Sequence, residues 1–147
     1  MWTKCKSLRL SVILVKIVFL LLVISIFMIP FMVKWYDYIS ARPDISVPLS
    51  VTLYLALIPA FVVIAVLDRL LSNIRNGQVF VNQNVTILRI ISWCSFAVSV
   101  IFFIFGFWRE LSFLIAFAAA FFGLILRVLK NVFEQAVAIR EENDFTI

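Results

Sequence analysis

The sequence contains no histidine, only two cysteines and few glycines and prolines, and charged residues make up only 14% of its 147 positions. Without histidine the chain lacks the usual general base, the commonest metal ligand and the usual pH switch near neutrality. Cys5 and Cys94 lie far apart and offer no metal-ligand spacing. Ser92 and Cys94 are nucleophile types without a base nearby in sequence. We therefore expect no catalytic residue, no metal, no cofactor and no enzymatic activity.

Apolar residues, by contrast, make up 65% of the chain, and the mean hydropathy is +1.14. A soluble domain is closer to half apolar and a quarter charged, so we expect an integral membrane protein. Four apolar runs approach or exceed the length that a spanning helix needs. They predict an all-α fold, a four-helix bundle in one membrane domain. The predicted spans are residues 11–33, 49–67, 90–108 and 111–126.

The link between the second and third spans, residues 68–89, is polar on one helical face only. Its apolar side chains recur at i, i+3, i+4 and i+7, which predicts that the second helix continues beyond the membrane. Gly77 is expected to end that helix in the left-handed conformation, with an extended segment at 78–81. Asn82 or Asn84 is then expected to cap the third helix. The apolar face consists of Leu67, Leu70, Leu71 and Ile74, and the polar face of Asp68, Arg69, Ser72, Asn73, Arg75 and Asn76.

The tail, residues 127–147, continues the fourth span with the same helical spacing of apolar residues. We expect one helix to run to about Glu142, with Lys130 and Glu134 paired across one turn. Within the fourth span, small residues at helical spacing favour close packing of helices, although they are equally compatible with apolar filler. These are Ala116, Ala119, Ala120 and Gly123.

Basic residues are distributed unevenly between the two sides of the predicted membrane. Ten of them lie in the N-terminal segment, the link and the tail, which share one side of a four-span protein, and three lie on the other side. The positive-inside rule then places both termini in the cytoplasm. This topology accounts for the net charge of +5, so we expect no direct binding of nucleic acid. On the outer side, residues 34–38 predict an aromatic belt, and an irregular loop follows with Arg42, Pro43, Asp44 and Pro48.

Two short patterns carry a resemblance to a known family. One is Leu-x-x-Ile-x-x-Gly-x-x-Phe-x-x-x-Asn-x-x-x-Leu-Arg, from Leu71 to Arg89, and the other is Glu-x-Asp-x-Thr-Ile, from Glu142 to Ile147. With four spans, they resemble the bacterial membrane family catalogued as domain of unknown function 2975, over essentially the whole chain. Val79 stands where members often have proline. The resemblance implies a four-helix protein of the bacterial cytoplasmic membrane, often encoded beside a small helix-turn-helix regulator, and it implies no particular enzymatic activity.

The residues of the two patterns form the candidate site, as a partner-docking or structural motif on the cytoplasmic side. We expect the tail to dock against the link, with Phe145 and Ile147 near Val79 and Phe80. Asp144 or Thr146 is then expected to bond backbone amides of the turn. The candidate residues are Gly77, Phe80, Asn84, Leu88, Arg89, Asp144, Thr146 and Ile147.

Three functions follow from these expectations. The first is docking and regulation of a cytoplasmic partner, such as the helix-turn-helix regulator that the resemblance implies. The alternative is an immunity or stress protein that protects against a membrane-active peptide or toxin through the aromatic outer segment, residues 34–48. Transport ranks below both, because the span interiors carry hydroxyl groups and no charge. Membrane lipid surrounds the chain in each case, and a homo-oligomer through the face at 116–123 is compatible with the first two.

Overall fold

The structure is a computed structural model that describes residues 4–40 and 45–146. It contains four helices: α1 (Lys4–Ser40), α2 (Ser46–Arg75), α3 (Asn82–Phe105) and α4 (Ser112–Phe145). Each is long and apolar enough to cross a membrane, and the described part of the chain contains no strand. The prediction of an all-α, four-span membrane protein is confirmed.

The helices are longer than a membrane requires. The hydrocarbon core of a bilayer needs about 20 helical residues, whereas α2 has 30 residues and α4 has 34. At 1.5 Å per residue, α4 is roughly 50 Å long. Both helices therefore continue beyond the membrane at the end of the bundle where α2 leads into α3, which we call the link end. The opposite end, where α3 turns into α4, is the hairpin end.

The helices pack in chain order, α1 on α2, α2 on α3 and α3 on α4. Among the described residues, no Cα atom of α1 comes within 8 Å of a Cα atom in α3 or α4. An apolar cleft of about 350 Å³ lies between the four helices and includes Val18, Ile64, Val98 and Ala119 in its lining. The bundle is thus open along the side where α1 and α4 face one another.

The most extensive helix contact is that between α3 and α4, and small residues of α4 lie in it. Ala116 and Gly123 are buried, and a Cβ atom added to Gly123 would lie 3.3 Å from both the Phe96 ring and the Ser95 Cβ atom. The small residues of the fourth span therefore form a close-packing face, as predicted. Helix α3 of the same chain covers this face at Ala116 and Gly123, and the homo-oligomer through residues 116–123 stays a prediction.

Two helix boundaries differ from the sequence-based expectation. Helix α1 continues seven residues beyond the predicted first span to Ser40, so the aromatic residues predicted as a belt at 34–38 lie on its last turns. Pro48 lies in the first turn of α2 rather than in an irregular loop. A proline is tolerated there, because the first amides of a helix have no partner within the helix. Arg42, Pro43 and Asp44 lie outside the described residues.

Candidate functional site

The link turn, residues 76–81, begins where Gly77 ends α2. Gly77 has a φ of 75°, a conformation that costs glycine nothing but strains residues with a Cβ atom. The amide of Gln78 donates to the Asn73 carbonyl at 2.9 Å, and the amide of Gly77 donates to the Ile74 carbonyl at 3.1 Å. These two bonds form a Schellman motif. The predicted role of Gly77 is therefore confirmed.

Asn84 lies in the first turn of α3 and is fully buried at 0% exposure against the link turn. Its Nδ2 group donates to the carbonyls of Gln78 at 2.9 Å and Val79 at 2.7 Å. Its Oδ1 atom accepts a bond of 2.7 Å from Asn73 Nδ2. Asn84 therefore closes the turn and connects it to α2. The expectation of an asparagine cap is wrong, since Val81 holds the N-cap position of α3 without a side-chain cap bond.

Asn73 is the member of this network that the sequence pattern misplaced. Helical spacing put it on the polar outer face of α2, yet its side chain is half-buried. Besides its bond to Asn84, its Nδ2 group donates to Gln83 Oε1 at 3.2 Å. An asparagine near the C-terminus of a helix was the only sign in the sequence that Asn73 bonds to the following turn. A helical projection of α2 cannot show that the start of α3 returns over its polar face.

The extension of α4 beyond its span, residues 127–145, packs against the link turn. The rings of Phe80 and Phe133 lie with their centroids 5.6 Å apart. Arg140 Nη1 donates to the Phe80 carbonyl at 3.3 Å, and Asn82 Nδ2 donates to Glu141 Oε1 at 3.1 Å. The α4 extension and the link turn therefore form one stub at the link end of the bundle.

The end of the tail does not dock on the link turn as expected. Phe145 is 92% exposed and Asp144 is also exposed. The Thr146 hydroxyl donates to the Glu142 carbonyl of its own helix at 2.8 Å. Because α4 stays helical to Phe145, it carries its last turn past the link turn, and docking occurs earlier, through Phe133, Arg140 and Glu141. Ile147 lies outside the described residues.

Leu88 and Arg89 lie on different sides of α3. Leu88 is buried in the apolar core with Ile87, Ile91 and Leu126. Arg89 is exposed and lines a cleft of about 50 Å³ between α3 and α4. The other residues that line this cleft are Ser92, Trp93, Arg127 and Lys130. We call Arg89, Trp93, Arg127 and Lys130 the basic groove. The candidate residues therefore divide among the link turn, the core, the basic groove and the exposed tip of α4.

Within the basic groove, the Lys130 Nζ atom contacts Glu134 Oε2 at 2.6 Å, which confirms the predicted pair. The hydrogen bond from Lys130 and its positive charge, with a smaller effect of Arg89, lower the pKa of Glu134. A carboxyl with a lowered pKa stabilises the folded state above its ordinary pKa and loses that contribution as the pH falls through the lowered value. The pair is therefore formed at neutral pH.

The hydroxyl groups of the first three predicted spans donate to backbone carbonyls. Ser92 donates to the Gly123 carbonyl at 2.9 Å and Ser99 to the Ala116 carbonyl at 2.7 Å, so both connect α3 to α4. Tyr54 connects α2 to the Ile26 carbonyl of α1 at 3.2 Å. Ser25, Thr52 and Ser95 bond within their own helices. Over residues 4–40 and 45–146, no cluster of three histidine, cysteine or acidic side chains is present.

Comparison with known proteins gives one family. No curated protein and no solved structure matches the chain. A family model described as protein of unknown function (DUF2975) matches residues 40–147, which include α2, the link turn, α3 and α4, whereas α1 lies almost wholly before the match. The match covers well over half of the chain, which therefore belongs to this family of unknown function.

Proposed function

We propose that this protein is a non-enzymatic protein of the bacterial cytoplasmic membrane that docks a small helix-turn-helix regulator. The observation that carries the proposal is the exposed tip of α4. The α4 extension, residues 127–145, reaches roughly 28 Å beyond the predicted span at 1.5 Å per residue. An extension of this length that projects from the membrane carries its tip beyond the headgroup region, where a soluble protein reaches it.

The distribution of charge supports a cytoplasmic position for this tip. Ten basic residues lie at or near the link end, and Lys34, Arg42 and Arg109 belong to the other side of a four-span chain. The positive-inside rule orients such a protein with its link end in the cytoplasm.

The base of the stub supports docking because it holds the tip in a defined direction. Phe133 packs on Phe80, and Arg140 and Glu141 bond to the link turn. The link turn is in turn connected to α2 through Asn84. A partner therefore meets a preformed surface, and less conformational entropy is lost on binding.

The chemistry of the tip suits a basic partner. Glu141, Glu142 and Asp144 are exposed there, next to the exposed ring of Phe145. A DNA-binding protein carries a basic face for the phosphate backbone. An acidic tip that binds this face competes with DNA, so the membrane-bound regulator is kept from its operator until a signal releases it.

The test is the distribution, between membrane and soluble fractions, of a helix-turn-helix regulator of the kind that the family resemblance implies beside this protein. Glu142→Gln and Asp144→Asn together remove the tip charge without changing side-chain size. We expect the regulator to move from the membrane fraction to the soluble fraction and to occupy its operator. Gly77→Val, which strains the link turn, should act in the same direction through the base of the stub.

Glu110→Gln is the matched control, because it removes one exposed carboxylate at the hairpin end. It should leave the regulator in the membrane fraction. An unchanged distribution in the tip variant, with the protein itself inserted at normal levels, would show that the regulator is not its partner.

A second cleft favours the alternative function, immunity to a membrane-active peptide. It has a volume of about 350 Å³ at the hairpin end and is lined by Trp35, Tyr36, Leu53 and Arg109, among others. The Arg109 guanidinium lies 5.1 Å from the centre of the Tyr36 ring. If this cleft binds a toxin, Trp35→Ala will reduce survival under toxin challenge, and the two tip substitutions will not.

A further inference from the structure

The basic groove gathers three cationic side chains from two helices. Arg89 comes from α3, and Arg127 and Lys130 come from successive turns of α4. Glu134 is the carboxylate that pairs with Lys130, so the group keeps an excess of positive charge. Like charges that converge on one cleft repel each other, and a bound anion removes that repulsion.

Two of the three cationic groups, those of Arg127 and Lys130, are held in place before any ligand binds. Arg127 lies over the Trp93 ring, with its Cζ atom 5.7 Å from the ring centre. The side chain of Lys130 is only 15% exposed, and its Nζ atom contacts Glu134 and also donates to Asn131 Oδ1 at 3.1 Å. The aliphatic stem of a lysine held in this way packs against the protein while the ammonium group stays at the cleft. Preorganised donors of this kind suit an oxyanion.

The limits of the predicted third and fourth spans put the groove at the level of the lipid headgroups. Arg89 and Arg127 flank the predicted third and fourth spans, and Trp93 lies one turn inside the third. Tryptophan is enriched at this depth, where its ring is apolar and its N–H group is hydrated. Leu124, one turn from Arg127 towards the membrane centre, is also exposed. The same face therefore presents cations to a headgroup and an apolar surface to an acyl chain.

We propose that the basic groove binds the phosphate of an anionic phospholipid in the leaflet at the link end. Basic pockets between spanning helices on the cytoplasmic side are suited to lipid phosphates. Arg89 and Arg127 donate to the phosphate oxygens, Lys130 adds charge, and the acyl chains lie along Trp93 and Leu124. A free phosphate ion would satisfy the cations but would leave this apolar surface without a partner.

The test is native mass spectrometry of the full, delipidated chain in detergent, with lipid added back. The probes are phosphatidylglycerol, which is anionic, and phosphatidylcholine, which has the same phosphodiester but no net charge. We expect phosphatidylglycerol to bind more tightly. The double variant Arg89→Gln and Arg127→Gln should weaken its binding about 30-fold, or about fivefold for each charge removed. Phosphatidylcholine binding should change little.

The matched control is the double variant Arg69→Gln and Arg75→Gln, which removes two exposed arginines at the same end of the bundle but outside the groove. It should retain phosphatidylglycerol. Glu134→Gln removes the competing carboxylate and should tighten binding, a gain that a folding defect cannot produce. Equal loss in the two arginine pairs or equal binding of the two lipids would overturn the proposal. A loss of binding with Glu134→Gln, or displacement of the lipid by inorganic phosphate, would also overturn it.

Discussion

The contact that joins α1 to the rest of the molecule differs from the contacts that join α2, α3 and α4 to one another. Helix α1 contacts α2 through apolar side chains such as the Phe19–Phe61 pair, and it accepts a hydrogen bond from Tyr54. The rest of the bundle is joined by bonds between buried or half-buried groups. Ser92 and Ser99 join α3 to α4, and Asn84 joins the link turn to α2.

This difference matters because lipid provides little hydrophobic drive for helices to associate. Inside a bilayer, close van der Waals packing and hydrogen bonds between helices determine their arrangement. Helix α1 exposes large side chains such as Phe27 and Phe31 along its length, and these fit lipid as well as protein. The family match begins at residue 40 and so coincides with the bonded unit. The bonded unit is therefore the part whose internal geometry is most strictly specified.

The largest expected effect is the loss of the Asn84 side chain. Asn84→Ala leaves the carbonyls of Gln78 and Val79 without their side-chain donor, and it leaves the Asn73 amide with only its longer bond to Gln83. Each buried polar group left unpaired costs about 1–3 kcal/mol, and we expect a total loss of about 3 kcal/mol. The measurement is denaturant unfolding in detergent micelles, followed by circular dichroism.

Ser25→Ala in α1 is the comparison for that variant, because Ser25 bonds only within its own helix. It should change stability by less than about 0.5 kcal/mol. Equal effects of the two substitutions would show that the link turn is no more constrained than α1.

A smaller effect is expected when the packing of α3 on α4 is disturbed. Gly123→Leu places new atoms against Phe96 and Ser95, where even a Cβ atom lies at 3.3 Å. Overpacking of this kind costs about 1–3 kcal/mol, and we expect about 2 kcal/mol in the same unfolding measurement. Ala118→Leu, at an exposed position of α4, is the control and should be neutral. A stable Gly123→Leu protein would mean that the two helices separate easily.

The smallest effect is expected when a single hydrogen bond between two helices is removed, either between α3 and α4 or between α2 and α1. Ser92→Ala removes a buried bond between α3 and α4 and should cost about 0.6 kcal/mol, the average for such bonds in membranes. Tyr54→Phe removes the bond to α1 and should cost less, because that bond is longer and exposed. Unfolding curves of both variants, measured under the same conditions, give the two losses in the free energy of unfolding. A larger loss from Tyr54→Phe would reverse the comparison.

Local features of the fold were predictable because they depend on neighbours in sequence. Gly77 ends α2 as expected, since left-handed backbone is a property of one residue and its flanking turn. The Lys130–Glu134 pair follows from the helical period. Asp144, Phe145 and Thr146 were placed wrongly on the link turn, because nothing in the local pattern shows how far a helix continues past its neighbour. The same limit applies to Pro48, whose neighbours are compatible with either a loop or a first helical turn.

The sequence by itself determined that the chain lies in a membrane, that it has four spans and that its fold is all-α. Hydropathy and the length of each apolar run decide these properties, and neither depends on how the helices pack. Only the tertiary structure decided that Asn73 and Asn84 meet, that Gly123 faces α3, and that Arg89 joins Arg127 and Lys130 in the basic groove. These outcomes depend on the rotation of each helix about its axis and on its offset along the neighbour. Packing and hydrogen bonds between residues distant in sequence set this rotation and this offset. The apolar periodicity of a single helix gives no information about either.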